Sequence, residues 1–196
     1  MRNAWVGLVG LAALAMPAAA QVNSNEGMEL VKALRENEGS KAYTIVQNNG
    51  TNVVNYRGVD GEAPLHVVTR SRNSNWVGYL LSNKADPNIV DKAGDTPLII
   101  AARMGYGDGA SRLIRARADV NRTNRRGETA LIVAVNQRQP AIVKMLLEAG
   151  ADPDKRDYAA GYSAREYAKR DTRMPELLRL IETVERPKPK VAGPTR

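Results

Sequence analysis

The chain has 196 residues, 43% hydrophobic and 26% charged, the balance of one soluble globular domain and not of a disordered polymer. It contains no Cys and no Phe, so disulfides, thiolate catalysis, Cys-rich zinc sites and iron–sulfur clusters are excluded by inventory, and stability has to come from packing. The formal net charge is +8, which bears on solubility and on anionic partners and says nothing of the fold.

Residues 1–20 differ in kind from the rest. Arg2 supplies a short positive region, Trp5 to Met16 is apolar and uncharged, and Ala18-Ala19-Ala20 places small side chains where a signal peptidase admits nothing larger. Cleavage is expected after Ala20. The apolar stretch falls short of the roughly 20 residues that span a bilayer and is closed by Pro17, which argues against an uncleaved anchor. No Cys follows for lipid attachment. The expected mature protein is periplasmic or secreted, does not span the membrane, and has lost only Arg2 from its charged residues.

The remainder is repetitive, and a fixed period decides architecture. A short pattern begins at Gly61, Gly94, Gly127 and Gly161, with spacings of 33, 33 and 34 residues. Each is followed by an aliphatic pair in the same phase: Leu80-Leu81, Leu113-Ile114, Leu146-Leu147 and Leu180-Ile181. Between units, Ala85-Asp86-Pro87-Asn88, Ala118-Asp119-Val120-Asn121 and Ala151-Asp152-Pro153-Asp154 recur. Asp and Asn bond back to nearby backbone and Pro fixes its own φ, so these segments read as turns. In Thr96-Pro97-Leu98-Ile99-Ile100-Ala101-Ala102, Thr96 is a helix cap, Pro97 takes the first helical position, and the two alanines let neighbouring helices approach. Pro140 to Ala149 is the clearest second helix, with Ile142, Val143, Leu146 and Leu147 in one apolar stripe and Gly150 as its stop.

Gly94-Asp95-Thr96-Pro97-Leu98, with Ala101-Ala102, Gly105, Leu113-Ile114 and Ala118-Asp119-Val120-Asn121, resembles an ankyrin repeat. Gly127-Glu128-Thr129-Ala130-Leu131 through Leu146-Leu147-Glu148-Ala149-Gly150-Ala151-Asp152 resembles one more closely still. The resemblance spans Gly58 to Ile181 and implies an all-α solenoid of stacked helix-turn-helix units with hairpin-like loops. The expected organisation is a leader over 1–20, an N-terminal helical capping repeat over 21–57, ankyrin repeats over 58–185 and a basic, Pro-rich, extended tail over 186–196.

The flanking segments read as modified repeats. Glu26 to Asn37 and Ser40 to Gln47 have helical patterning, Ser40 is the expected cap of the second of these, and Asn52-Val53-Val54-Asn55 holds the inter-unit turn position. At the other end Arg165 replaces a buried aliphatic residue, as suits a terminal unit whose outer face meets water. Lys84 and Arg117 stand where a helix-ending Gly is expected, and a non-Gly residue held left-handed is strained by roughly 1 kcal/mol or more. Gly107 and Gly109 fall beside the second helix of their unit, where an interior Gly costs about 1 kcal/mol against Ala. The middle of the array is therefore expected to be its softest part.

Catalytic chemistry has little to stand on. The single histidine, His66, is matched by Ile99 and Ile132 in the next units, has no Cys or recognised Ser partner, and is too isolated for a metal. The resemblance implies that it bonds to neighbouring backbone. Asp60 with Glu62, and Asp152 with Asp154, are the nearest carboxylate pairs, and both sit in polar turns that keep such groups ordinary. Gly105-Tyr106-Gly107-Asp108-Gly109 lacks the Lys-Ser/Thr of a phosphate loop. Asn49-Gly50-Thr51 and Asn121-Arg122-Thr123 match a glycosylation acceptor but fall on turn landmarks. No catalytic residue, cofactor or metal is assigned, and no enzyme activity is expected.

The resemblance implies that partners meet the loop tips and the exposed side of the first helices. Carried over unit by unit, those positions are Val59, Asp60, Glu62 and Arg70, then Val90, Lys92, Asp95, Arg103 and Met104. The third unit contributes Arg125, Arg126, Glu128, Asn136 and Gln137, and the fourth Arg156 and Tyr158. Cations outnumber acids in this set, so the expected partner of a monomeric chain is another protein, acidic in character. Nucleic acid is not expected, for want of an aromatic platform. The alternative is an electrostatic adaptor for anionic envelope polymers or lipid headgroups. For each residue taken singly, a solvated charge that keeps a solenoid soluble is the plainer reading.

Overall fold

The computed structural model describes residues 18–184, with side chains from Asn25 onward. Among these residues the chain forms helices and no strand. A leading helix α1 (Ala18–Arg35) is followed by α2 (Gly39–Asn49) and the single turn α3 (Thr51–Val54). Four helix pairs come next: α4 (Pro64–Arg70) with α5 (Ser74–Ser82), α6 (Pro97–Arg103) with α7 (Gly107–Arg115), α8 (Ala130–Asn136) with α9 (Pro140–Glu148), and α10 (Ala164–Arg170) with α11 (Pro175–Thr183). Each first helix packs on its own second helix and on the first helix of the next unit, and α5, α7, α9 and α11 stack in a second row. The first row is extended by α1, which packs against α4. The architecture is the expected all-α solenoid, two helical layers deep.

Near the N-terminus the helix starts earlier than the patterning suggested, at Ala18 and not Glu26, so the expected cut after Ala20 falls in its first turn. The rest of the leader and the tail over 186–196 lie outside the described residues. Ser40 is not a cap: α2 begins at Gly39, its N-cap is Glu38, and the Ser40 carbonyl accepts from the Thr44 hydroxyl.

The first-row helices start for a local reason. Thr96 and Thr129 accept the backbone N–H of Ile99 and Ile132 at 3.2 Å, and each precedes a run of buried aliphatic residues. Leu65, Leu98 and Leu131 hold one buried position in successive units. In the last unit Arg165 stands there, half-buried and paired with Asp154 at 2.7 Å, which closes the array with a polar group.

Adjacent units are tied by a side-chain ladder. The amide oxygens of Asn55, Asn88 and Asn121 each accept the N–H of the Asp that opens the next inter-unit turn, Asp86, Asp119 and Asp152, at 2.7 Å every time. The same Asp residues accept locally from the N–H of Asn88, Asn121 and Asp154. Asp shapes the turn and Asn reaches the neighbour, which is why the pair recurs in phase.

Lys84 and Arg117 have the positive φ expected of them, 68° and 64°. Asn37, Arg72 and Arg138, in the short turns between paired helices, are also left-handed; among these equivalent positions Gly105 suits the conformation best and Asn37 next, while Arg72 and Arg138 carry its strain. Gly109 has a different reason to be small. A Cβ there would overlap the Tyr106 ring, which folds back on the helix it precedes and is buried. That glycine admits the ring, so it contributes packing and not slack.

Candidate partner-binding surface

All but the first of the loop tips, where Gly58 holds the equivalent position, are organised by one polar side chain each. Asp91 Oδ1 accepts the N–H groups of Ala93 and Asp95 at 2.9 and 3.0 Å, Asn124 Oδ1 those of Arg126 and Glu128 at 2.9 and 3.0 Å, and Asp157 Oδ1 those of Ala160 and Gly161 at 2.8 and 3.0 Å. Successive tips are joined by backbone: Lys92 N–H donates to Asp60 C=O, Arg125 N–H to Ala93 C=O and Tyr158 N–H to Arg126 C=O, at 2.8, 3.1 and 2.8 Å. Gly127 is required at such a junction, because its φ is 76° and a Cβ would come within 2.7 Å of Tyr158 N.

These bonds put Val59, Lys92, Arg125 and Tyr158 in equivalent places on successive tips. All four are exposed, Val59 fully and Tyr158 by 75%. Lys92 and Arg125 make no ion pair among the described residues. At its first end the row meets a recess of about 360 Å³ between α1 and the first tip, where Met28, Val31 and Tyr56 join Val59, with Lys32 and Arg35 beside them.

The other expected cations are engaged within the chain. Arg70 pairs with Glu62 and with Asp91, the latter at 2.8 Å, and Glu62 also takes Arg35. Arg103 grips Asp95 through both terminal nitrogens, at 2.5 and 3.1 Å, while Asn124 donates to Asp95 at 2.9 Å and to Glu128 at 2.8 Å. Arg126 closes on Glu128 at 2.7 Å, and Arg156 donates to Glu166 at 2.7 Å and to Gly161 C=O at 2.6 Å.

Asp95 is a correction to the expected surface. It is 4% exposed, and a carboxylate so buried needs its partners inside the protein. Burial pushes its carboxyl pKa up, but the Arg103 and Asn124 hydrogen bonds outweigh that and hold it below the ordinary range. Glu62 and Glu128 are half-buried for the same reason. Val90 is half-buried, its carbonyl taken by Arg57 at 2.7 Å, while Asp60, Met104, Asn136 and Gln137 are exposed. Sequence reading missed Arg35, Asp91 and Asn124, which assemble the network; the recurrence of Asp91, Asn124 and Asp157 in one phase was the signal for the last two, and no pattern marked Arg35.

His66 is fully buried. Its Nδ1 accepts the Ala63 N–H at 3.0 Å, so Nε2 carries the proton and donates to Asp95 C=O at 3.1 Å. Ala63 has no side chain with which to cap α4, and His66 does half of that work, as Glu166 does for the Ser163 N–H at 2.8 Å. Burial pushes its pKa down. Among the described residues no three histidine or carboxylate side chains converge as a metal site requires, and no helix is long and apolar enough to cross a membrane.

The family model described as ankyrin repeats matches the chain in three copies, over residues 16–124 and 65–157. No curated protein matches it.

Proposed function

Because the chain belongs to the ankyrin-repeat family, we propose that it is a non-catalytic protein-binding module, exported to the periplasm or secreted, that holds an acidic partner protein along its loop tips. Ankyrin repeats are in general protein–protein interaction modules. The observation that carries the reading for this chain is the row Val59, Lys92, Arg125 and Tyr158. Its side chains are exposed, its two cations have no internal partner among the described residues, and the backbone beneath it is tied from tip to tip. A preorganised row loses little entropy on binding, and Arg and Tyr are favoured anchors. Export rests on the leader over residues 1–20.

A charge-driven adaptor for anionic polymers or lipid headgroups draws less support. Arg70, Arg103, Arg126 and Arg156 are committed to carboxylates of the chain itself, so of the six cations at the expected contact positions only Lys92 and Arg125 are left without an ion pair among the described residues.

The test is site-specific photo-crosslinking in intact cells from positions 59 and 158, with position 144 on the outer row as control. One protein captured from both tip positions, lost when Lys92→Glu and Arg125→Glu are combined, supports the reading. Equal capture from position 144, or capture indifferent to the reversal, overturns it. For export, the recovered protein should begin at Gln21.

A further inference from the structure

At the end of the first-row helices away from the tips, a recess of about 370 Å³ opens between the end of α8 and the turn joining α10 to α11. Arg138, Arg170 and Arg173 line it beside Asn136 and Thr172, and Asp171 is the only carboxylate in its lining. Arg138 Nε donates to Asp171 Oδ2 at 2.6 Å, and Arg173 Nε lies 3.7 Å from Oδ1. Arg170 has no carboxylate within ion-pair distance among the described residues. Its guanidinium lies over the Tyr162 ring, 4.6 Å from the centroid, and donates to the Tyr162 hydroxyl at 2.9 Å.

Three guanidinium groups therefore line this concavity against one carboxylate, which pairs with Arg138 and Arg173 and leaves Arg170 without one, a surplus of two positive charges. Two features keep that surplus in place. Arg138 is left-handed at φ 53° and is pinned by its bond to Asp171, and Arg170 is held over an aromatic face by its contact and hydrogen bond to Tyr162. Side chains so placed lose little freedom when a ligand arrives, and a guanidinium fork matches the two oxygens of a carboxylate. An equivalent recess of about 350 Å³ opens beside Asn37 and Arg70, but there Glu62 takes both Arg35 and Arg70, and Arg103, the equivalent of Arg170 in the second unit, is taken by Asp95.

We infer that this recess is a second contact site, a seat for the carboxylates of an acidic segment of the partner protein. The inference rests on the protein-binding reading above and locates a contact that the tip row does not include. Asn136, at the end of α8, lines the recess and also belongs to the exposed first-row positions expected to meet a partner, so the two surfaces are continuous.

The experiment is a titration of the full mature chain, labelled with ¹⁵N in arginine, with the peptide acetyl-Glu-Glu-Glu-Glu-amide and separately with inorganic phosphate, read on the side-chain Nε–H resonances. Saturable shifts on Arg138, Arg170 and Arg173 are expected with the peptide. Combining Arg170→Gln with Arg173→Gln should weaken binding about five- to tenfold, the effect of removing two exposed charge contacts. Asp171→Asn keeps the acceptor for Arg173 N–H while removing the competing charge, and should tighten binding about threefold. A merely structural cluster does not predict that gain. Shifts spread evenly over all exposed arginines, or phosphate saturating the recess at lower concentration than the peptide, would overturn the proposal. Peptide shifts that persist in the Lys92→Glu, Arg125→Glu chain show that the recess acts apart from the tips, so failure of one reading is not failure of the other.

Discussion

The side-chain oxygen of Asn88 accepts the backbone N–H of Asp119 across the boundary between two units at 2.7 Å. Asn121 repeats the bond to Asp152 and adds a donor bond to Gly150 C=O at 3.2 Å. Asn88→Ala should cost about 1 kcal/mol, one net hydrogen bond whose donor, the N–H of the exposed Asp119, is left to water, and Asn121→Ala about 2 kcal/mol. Urea denaturation monitored by circular dichroism reads both. Equal, negligible losses would show that the ladder decorates the turns without holding the units together.

His66 makes stability depend on pH in a defined direction. Its folded pKa is lowered by burial, so between that value and the unfolded value of about 6.5 the unfolded chain binds the extra proton. The contribution is complete above the unfolded pKa and is lost as pH falls below it. His66 is the only histidine, and carboxylates with lowered values, Asp95, Asp157 and Asp171, respond only at more acid pH. The urea midpoint should drop between pH 7.5 and pH 5.5. In His66→Gln, whose amide can still accept the Ala63 N–H, most of that drop should vanish, and a slope that survives the substitution assigns it elsewhere.

Tyr106 and Gly109 give opposite expectations for two substitutions in one contact. The Tyr106 hydroxyl is buried without a hydrogen bond of good geometry among the described residues, although Ser74 is close enough to influence it. Tyr106→Phe should therefore leave stability unchanged or raise it by up to about 1 kcal/mol. Gly109→Ala, which helix propensity alone would favour by about 1 kcal/mol, should instead destabilise by about 1 to 3 kcal/mol through the overlap with the ring. Thermal melts of the two variants decide the sign of each.

Cations on the proposed binding face should separate into two classes. Arg103→Ala strips the principal partner from a buried carboxylate and should cost about 2 to 4 kcal/mol. Lys92→Glu and Arg125→Glu touch no internal partner among the described residues and should change stability by less than about 0.5 kcal/mol. Urea midpoints measured side by side test this, and the division matters because only the second class reports on partner binding without unfolding the chain.

How far the surface could be read from the chain differs from residue to residue. Val59, Lys92, Arg125 and Tyr158 were legible because their period matches that of the landmark glycines, and a position in phase is a position on the same face. Asp95 was misjudged by the same rule, since phase says which unit feature a residue belongs to and not whether Arg103 and Asn124 will close over it. Arg138 and Arg170 were not legible at all. They lie on different units, and the pairing of Arg138 with Asp171 depends on a left-handed turn that no residue type announces.

By itself the sequence determined the repeat period, the two-helix unit, the cap at Thr96 and the Asp and Asn turns, because each rests on contacts between residues near in the chain or displaced by one constant period. Only the tertiary structure decided which charges are left for a partner. Ion pairing is a matter of distance in space between side chains, and Arg103 and Arg125, both cations on the same face in the sequence, are separated by it into one that grips the buried Asp95 and one with no ion pair among the described residues.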